Sequence, residues 1–224
     1  MKPAIVLLAA GSGRRFGHST NKVWLDLLGK SVISRTILNA NKAFPDAPLI
    51  LVINPDDEDL AHKIINDEIP EIKIELVYGG STRHGSEYNA LQSLKSAIIA
   101  REVDVVLIHD GARPLATPVL YRKIAQVAEE LGGAIPTTTI NPVEIDLNHD
   151  TQIVRVQTPQ GFRAKELLEA YEKAEVDGFI GTDTGACVET YFPEIKAVAV
   201  EAEVANIKIT YAQDLKVAEA LLTS

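Results

Sequence analysis

One cysteine, one tryptophan and one methionine occur in 224 residues, and aromatic side chains make up only 5% of the chain. With Cys187 alone there is no disulfide framework and no metal site of paired thiolates, which points to the cytosol rather than to a small secreted scaffold. No apolar run reaches the ~18 residues of a membrane-spanning helix. The opening "MKPAIVLLAAG" has the lysine and short apolar run of a signal peptide. A glycine-rich loop follows at once, so the run is read as a buried first strand. An excess of positive charge is also missing. Against 31 Asp and Glu stand 22 Lys and Arg, a net charge of −9. That excludes a general nucleic-acid binder, whose affinity rests on many cation–phosphate contacts, but not a pocket for one small anion. No Ser-His-Asp, Cys-His or paired-carboxylate arrangement stands out, and the histidines at 18, 62, 84, 109 and 149 have no metal-ligand spacing.

What is present is an alternation of short β-rich runs with amphipathic helical stretches. Strands are expected at 4–8, 49–53, 74–78, 103–109, 152–157, 197–200 and 207–210. Helices are expected at 32–43, 58–65, 85–99, 118–131, 164–173 and 212–222. The runs "AIVLL" and "VVLI" are apolar at every position, as in a parallel sheet covered on both faces. The pattern predicts an α/β, doubly wound, mostly parallel Rossmann-like sheet. No repeat, low-complexity tract or linker divides it, so residues 1–224 read as one domain. The stretch 136–157 is β-branched and polar with no helical face. It reads as an extended arm, 137–157, lying off the main sheet, placed to complete an active site or pair with a second subunit.

Ligands of open α/β sheets sit at the carboxyl ends of the strands. The polar groups expected there are Gly11, Ser12, Gly13, Arg14 and Arg15 after the first strand; Gly79, Gly80 and Arg83 after the third; His109, Asp110, Gly111 and Arg113 after the fourth. Thr158 and Gln160 follow the arm, and Lys208 lies in the last short run. The first loop lacks the Lys-Ser/Thr of a P-loop and the third glycine of the dinucleotide fingerprint. Its glycines still let backbone N–H groups approach an anion, and Arg15 offers a fixed fork to phosphate oxygens, with Lys22 as a second cation. In "GGSTRHGS" a second glycine turn precedes a helix, with Gly80, Arg83 and Ser86 facing the same region. In "IHDGARP" a carboxylate closes a strand and an arginine follows; His109 reads as structural. Many cations with no nucleophile suggest that the substrates bring the nucleophile and that the protein positions them and stabilises charge at phosphorus.

The motifs "LLAAGSGRRF…NK", "GGSTRHGS", "HDGARP", "QTPQGF" and "NIKIT…DL", in this order and over essentially the whole chain, resemble the 2-C-methyl-D-erythritol 4-phosphate cytidylyltransferases. The resemblance implies a dimeric, Mg²⁺-dependent enzyme that joins CTP to a sugar-alcohol phosphate and releases pyrophosphate. It implies that Arg15 and Lys22 stabilise the α-phosphate in the transition state. By the same resemblance Ala9, Ala10, Gly11, Ser12, Gly13, Gly80, Arg83 and Ser86 cradle CTP, with the base near 80–86. Asp110 and Arg113 then lie at the ribose and acceptor side, and Thr158 and Lys208 position the acceptor phosphate. Mg²⁺ would be held largely by the triphosphate, and no protein ligand is assigned.

Departures from the family fall in and after the arm. Where the family has Pro-x-x-Asp-Thr, this chain reads Pro136-Thr137-Thr138-Thr139-Ile140, and Asp150 stands where the family places an arginine. Arg155 is close by, but a five-residue shift along a strand changes face. After Thr182 and Asp183, "TGA" replaces a more acidic run. Ribitol 5-phosphate is therefore an alternative acceptor, and a CTP-binding paralogue without catalysis is a second alternative.

Overall fold

The computed structural model describes residues 1–11, 21–139 and 154–223. The strands are β1 (Pro3–Leu8), β2 (Asp26–Leu27), β3 (Lys30–Ser31), β4 (Leu49–Ile53), β5 (Glu75–Tyr78), β6 (Val105–Asp110), β7 (Gly133–Thr139), β8 (Val154–Val156), β9 (Gln160–Arg163) and β10 (Val198–Glu201). The helices are α1 (Val32–Ala43), α2 (Glu58–Glu68), α3 (Arg83–Ile99), α4 (Pro118–Leu131), α5 (Ala164–Asp177), α6 (Thr184–Tyr191) and α7 (Ala212–Thr223). The main sheet runs β10-β7-β9-β6-β1-β4-β5, with β8 paired to β7, and β2 and β3 form a separate small hairpin. Strand β9 lies antiparallel to both β6 and β7, and β8 antiparallel to β7; the other pairings in the main sheet are parallel.

Alternation along the central strands builds two cores. Ile5, Leu7, Leu51 and Leu107 face α1, α2 and α4 through Ile33, Ile37, Ala61 and Ile124. Ala4, Val6, Val52 and Ile108 face α3, α5 and α6 through Leu91, Leu94, Leu168 and Val188. With helices on both faces, each strand must be apolar throughout, which is why β1, β4 and β6 carry almost no polar residue before their last positions. The doubly wound, mostly parallel architecture expected from the sequence is the one observed.

Four local expectations need correction. The run 207–210 joins no strand ladder; Ile209 is buried and its N–H donates to the Ala112 carbonyl at 2.9 Å, so the segment docks beside the end of β6 by one backbone bond and the Lys208–Asp110 ion pair. Strand β9 was not expected from "QGFR". It fits because Gly161 lies where an added Cβ would stand 2.8 Å from both Ile124 Cγ2 and Leu107 Cδ2. Strand β7 begins at Gly133 and pairs with β9, β8 and β10. Residues 137–139 of the expected arm are therefore part of the main sheet, and Arg155 pairs with Thr138 in an antiparallel stem. Helix α6 was not expected either; the Asp183 side chain caps it, accepting from the Ala186 N–H at 2.9 Å.

Candidate active site

Strands β1, β4, β5 and β6 all end at one edge of the sheet, and a cavity of about 890 Å³ opens there. Its wall includes Ala9, Ala10, Gly11, Lys22, Gly80, Arg83, Ser86, Asp110 and Lys208, all chosen from the sequence. Ser12, Gly13, Arg14 and Arg15 lie outside the described residues. Arg113 and Thr158 are buried beneath Asp110 rather than on the cavity wall.

The glycine turn is built by close packing. A Cβ on Gly80 would stand 2.8 Å from the Gly85 carbonyl carbon, and one on Gly79 2.4 Å from Ala10 Cβ. The Gly80 N–H donates to Ser86 Oγ at 3.1 Å, and Ser86 Oγ donates to the Thr82 carbonyl at 2.9 Å. Thr82 in turn caps α3 by accepting from the Gly85 N–H at 2.9 Å. The turn is thus tied to the helix start that carries Arg83.

Asp110 organises the cations. Its Oδ1 pairs with Arg83 Nη1 at 2.5 Å; its Oδ2 pairs with Lys208 Nζ at 2.8 Å and lies 3.5 Å from Arg113 Nε. Burial works against the Asp110 charge, but Arg83, Lys208 and Arg113 hold its carboxyl well below the usual carboxylate range. Burial lowers the Arg113 pKa against the pull of Asp110, and the charges of Arg83 and Arg155 add to that lowering.

Beneath the carboxylate lies a buried polar relay. The Asp110 N–H donates to Thr158 Oγ1 at 3.0 Å. His109 Nε2 faces the Arg113 carbonyl at 3.2 Å, an oxygen that can only accept, so Nε2 carries the proton. Nδ1 is then the acceptor of the Thr158 hydroxyl, 3.0 Å away. Burial drives the His109 pKa down to about 3, which fits this neutral tautomer and the structural part expected of it. Arg113 Nη1 donates to the Asn206 carbonyl at 2.7 Å, and Asn206 Nδ2 donates to the Thr158 carbonyl at 2.9 Å.

Three residues of this framework were not singled out from sequence. Asn206 sits inside "NIKIT" but is hidden, and its role depends on contacts far along the chain. Asn21 donates through Nδ2 to the Ala9 carbonyl at 2.6 Å, pinning the Lys22 segment to the end of β1. Glu87, 1% exposed, places Oε1 2.8 Å from Arg83 Nε. Its spacing of four from Arg83 on a helix was the one available signal.

A family model described as 2-C-methyl-D-erythritol 4-phosphate cytidylyltransferase matches residues 4–224. The chain belongs to that family. A relative of that name from Trichodesmium erythraeum is 38% identical over 97% of this chain and 97% of its own. Another from Bacillus mycoides is 33% identical over 97% of this chain and 96% of its own. Among solved structures, the 4-diphosphocytidyl-2C-methyl-D-erythritol synthase of Anaerococcus prevotii superposes with a TM-score of 0.80 at 28% identity, covering 100% of this chain and 96% of that one. The cytidylyltransferase of Thermus thermophilus gives 0.72 at 26%, covering 98% of each. The family resemblance drawn from five short motifs thus holds over the full length, and the cytidylyltransferases share the fold described above.

Proposed function

We propose that this chain transfers CMP from CTP to the phosphate of 2-C-methyl-D-erythritol 4-phosphate, releasing pyrophosphate, a step of non-mevalonate isoprenoid synthesis. The observation that carries the proposal is the cation-rich cavity at the strand ends, with Lys22, Arg83 and Lys208 around Asp110, in a chain of this family. In the reaction an oxygen of the acceptor phosphate attacks the α-phosphorus in line. The new P–O bond forms as the bond from the α-phosphorus to the β-phosphate bridging oxygen breaks, and pyrophosphate leaves with that electron pair. No enzyme nucleophile is needed.

The residues divide the work by position. Gly80, Ser86 and the first loop, Ala9 to Gly13, approach the nucleotide by backbone; Arg83 and Asp110 bound the cavity beside them. Arg15 and Lys22 stabilise charge on the α-phosphate, and Lys208 holds the acceptor phosphate in line for attack. Thr158 acts through Asp110, whose N–H it accepts, and Arg113 through the same carboxylate. Arg155, on β8 opposite Thr138, is the cation of the stem that would serve the acceptor side in place of the arginine replaced by Asp150.

Mg²⁺ fits here as an ion carried in on the triphosphate. Among the described residues no three His, Cys, Asp or Glu side chains gather, and Asp110, the one carboxylate on the cavity wall, is already engaged by cations. Held there, Mg²⁺ would supply positive charge against the pyrophosphate as it leaves, beside the cations Lys22, Arg83 and Lys208 of the cavity wall. We place the enzyme in the cytoplasm, acting as a homodimer through the arm. The single buried thiol of Cys187 and the exposed Val154 and Val156 on the β7–β8 stem support these two readings. Phosphorus NMR of a mixture of CTP, methylerythritol 4-phosphate, Mg²⁺ and enzyme tests the chemistry. Paired diphosphate-diester resonances appearing with free pyrophosphate are expected; hydrolysis of CTP to CMP without them would contradict it.

A further inference from the structure

Arg83 occupies the first position of α3, where the helix dipole disfavours a cation, and Glu87 sits one turn later with its carboxylate 1% exposed. The order is also the weaker one for a helical ion pair, which favours the acid on the N-terminal side. Neither residue is placed there to stabilise a helix. Three helices instead converge on the Glu87 carboxylate. The Tyr171 hydroxyl of α5 donates to Oε2, and the Thr184 hydroxyl of α6 donates to Oε1 at 3.2 Å. Arg83 Nε lies 2.8 Å from the same Oε1. Tyr171 is itself fixed by stacking on His84, ring centroids 4.5 Å apart. Burial pushes the Glu87 carboxyl up and the charge of Asp110 adds to that; Arg83, Tyr171 and Thr184 oppose the rise without cancelling it.

Glu87 holds the Nε side of the guanidinium and Asp110 holds Nη1. Asp110 accepts a hydrogen bond from Nη1, and Glu87 adds a charge contact 2.8 Å from Nε without a hydrogen bond to it, so two carboxylates on different sides of the guanidinium restrict it more than either alone. Asp110 is shared with Lys208 and Arg113, so a polyphosphate entering the cavity competes for the same cations. The Glu87 contact lies behind Arg83, away from that competition, and is anchored in the α5–α6 layer. We infer that Glu87, held by Tyr171 and Thr184, is a positioning residue that pre-sets Arg83 on the cavity wall for the nucleotide. The inference rests on the reading that this cavity takes CTP.

Calorimetric titration of CTP with Mg²⁺ into the full-length protein tests it. Freeing one side chain before binding costs about a threefold to tenfold rise in Kd, which is the change expected for Glu87→Gln. The loss should fall more on Kd and KM than on kcat. Tyr171→Phe and Thr184→Val, which keep packing and remove one hydroxyl each, should move Kd in the same direction by less. They carry the test if Glu87→Gln does not fold. In an Arg83→Ala background the Glu87→Gln change should vanish, because there is no guanidinium left to place. Wild-type Kd in the folded variants, or an undiminished Glu87→Gln effect without Arg83, would overturn the inference while leaving the CTP reading intact. A wild type that binds no CTP would remove that reading and this inference with it.

Discussion

Replacing His109 by glutamine keeps both of its hydrogen bonds within reach, since an amide can accept from Thr158 and donate to the Arg113 carbonyl, but it removes the titrating ring. In the folded protein the ring is fully buried, and its pKa is held down at about 3 against an ordinary 6.5. The unfolded chain therefore takes up a proton from near pH 6.5 downward while the folded chain does not. The stability this contributes is complete above pH 6.5 and is lost as pH falls towards 3. Between pH 7 and pH 5 one such group costs about 2 kcal/mol, since each pH unit inside the window approaches ~1.4 kcal/mol. For a chain of this length that is roughly 4–8 °C in Tm. His84, lowered by burial, adds in the same direction; Glu87, raised by burial, acts against it. The comparison must therefore be between wild type and His109→Gln, each melted across the pH range by calorimetry. Wild-type stability should fall more steeply than that of the variant by about 2 kcal/mol over those two units. Parallel profiles would refute the neutral, buried assignment, and with it the proton arrangement beneath Asp110.

Other variants probe the cavity itself. Lys208→Ala, Arg15→Ala and Lys22→Ala should each lower kcat by ~10²-fold or more, the scale of a lost transition-state charge contact; near-full turnover in all three would undo their assigned roles. Arg155→Ala should raise the KM for methylerythritol 4-phosphate while leaving CTP affinity unchanged, measured by steady-state kinetics and calorimetry. Gly80→Ala should weaken CTP binding and lower Tm, because its Cβ meets backbone 2.8 Å away, whereas Gly11→Ala, whose Cβ meets nothing within 4 Å among the described residues, should leave Tm unchanged.

The long central strands were legible because β1, β4 and β6 are apolar on both faces, and the helices between them because their burial repeats with helical period. The sheet edge that holds the site followed from the rule for open α/β sheets, and the cavity collects Lys22, Gly80, Arg83, Asp110 and Lys208 there. Less was legible where tertiary packing overrides local pattern. Strand β9 carries Gly161 and two polar residues, and only the crowding of Ile124 and Leu107 explains it. The run 207–210 alternates like a strand, yet Ile209 is buried at a docking point without a ladder. Glu87 and Asn206 escaped notice for a related reason: a buried polar residue is identified by partners, and apart from Arg83, four positions from Glu87, these include Tyr171, 84 positions from Glu87, and Gln157, 49 from Asn206.

The central claim is that this cavity joins CTP to methylerythritol 4-phosphate. Pyrophosphate release from CTP and Mg²⁺, compared with methylerythritol 4-phosphate, with ribitol 5-phosphate and with no acceptor, tests it most directly. Release that depends on methylerythritol 4-phosphate, and stops when EDTA removes the metal, is the predicted result. Release with ribitol 5-phosphate alone, or with neither acceptor, would contradict it.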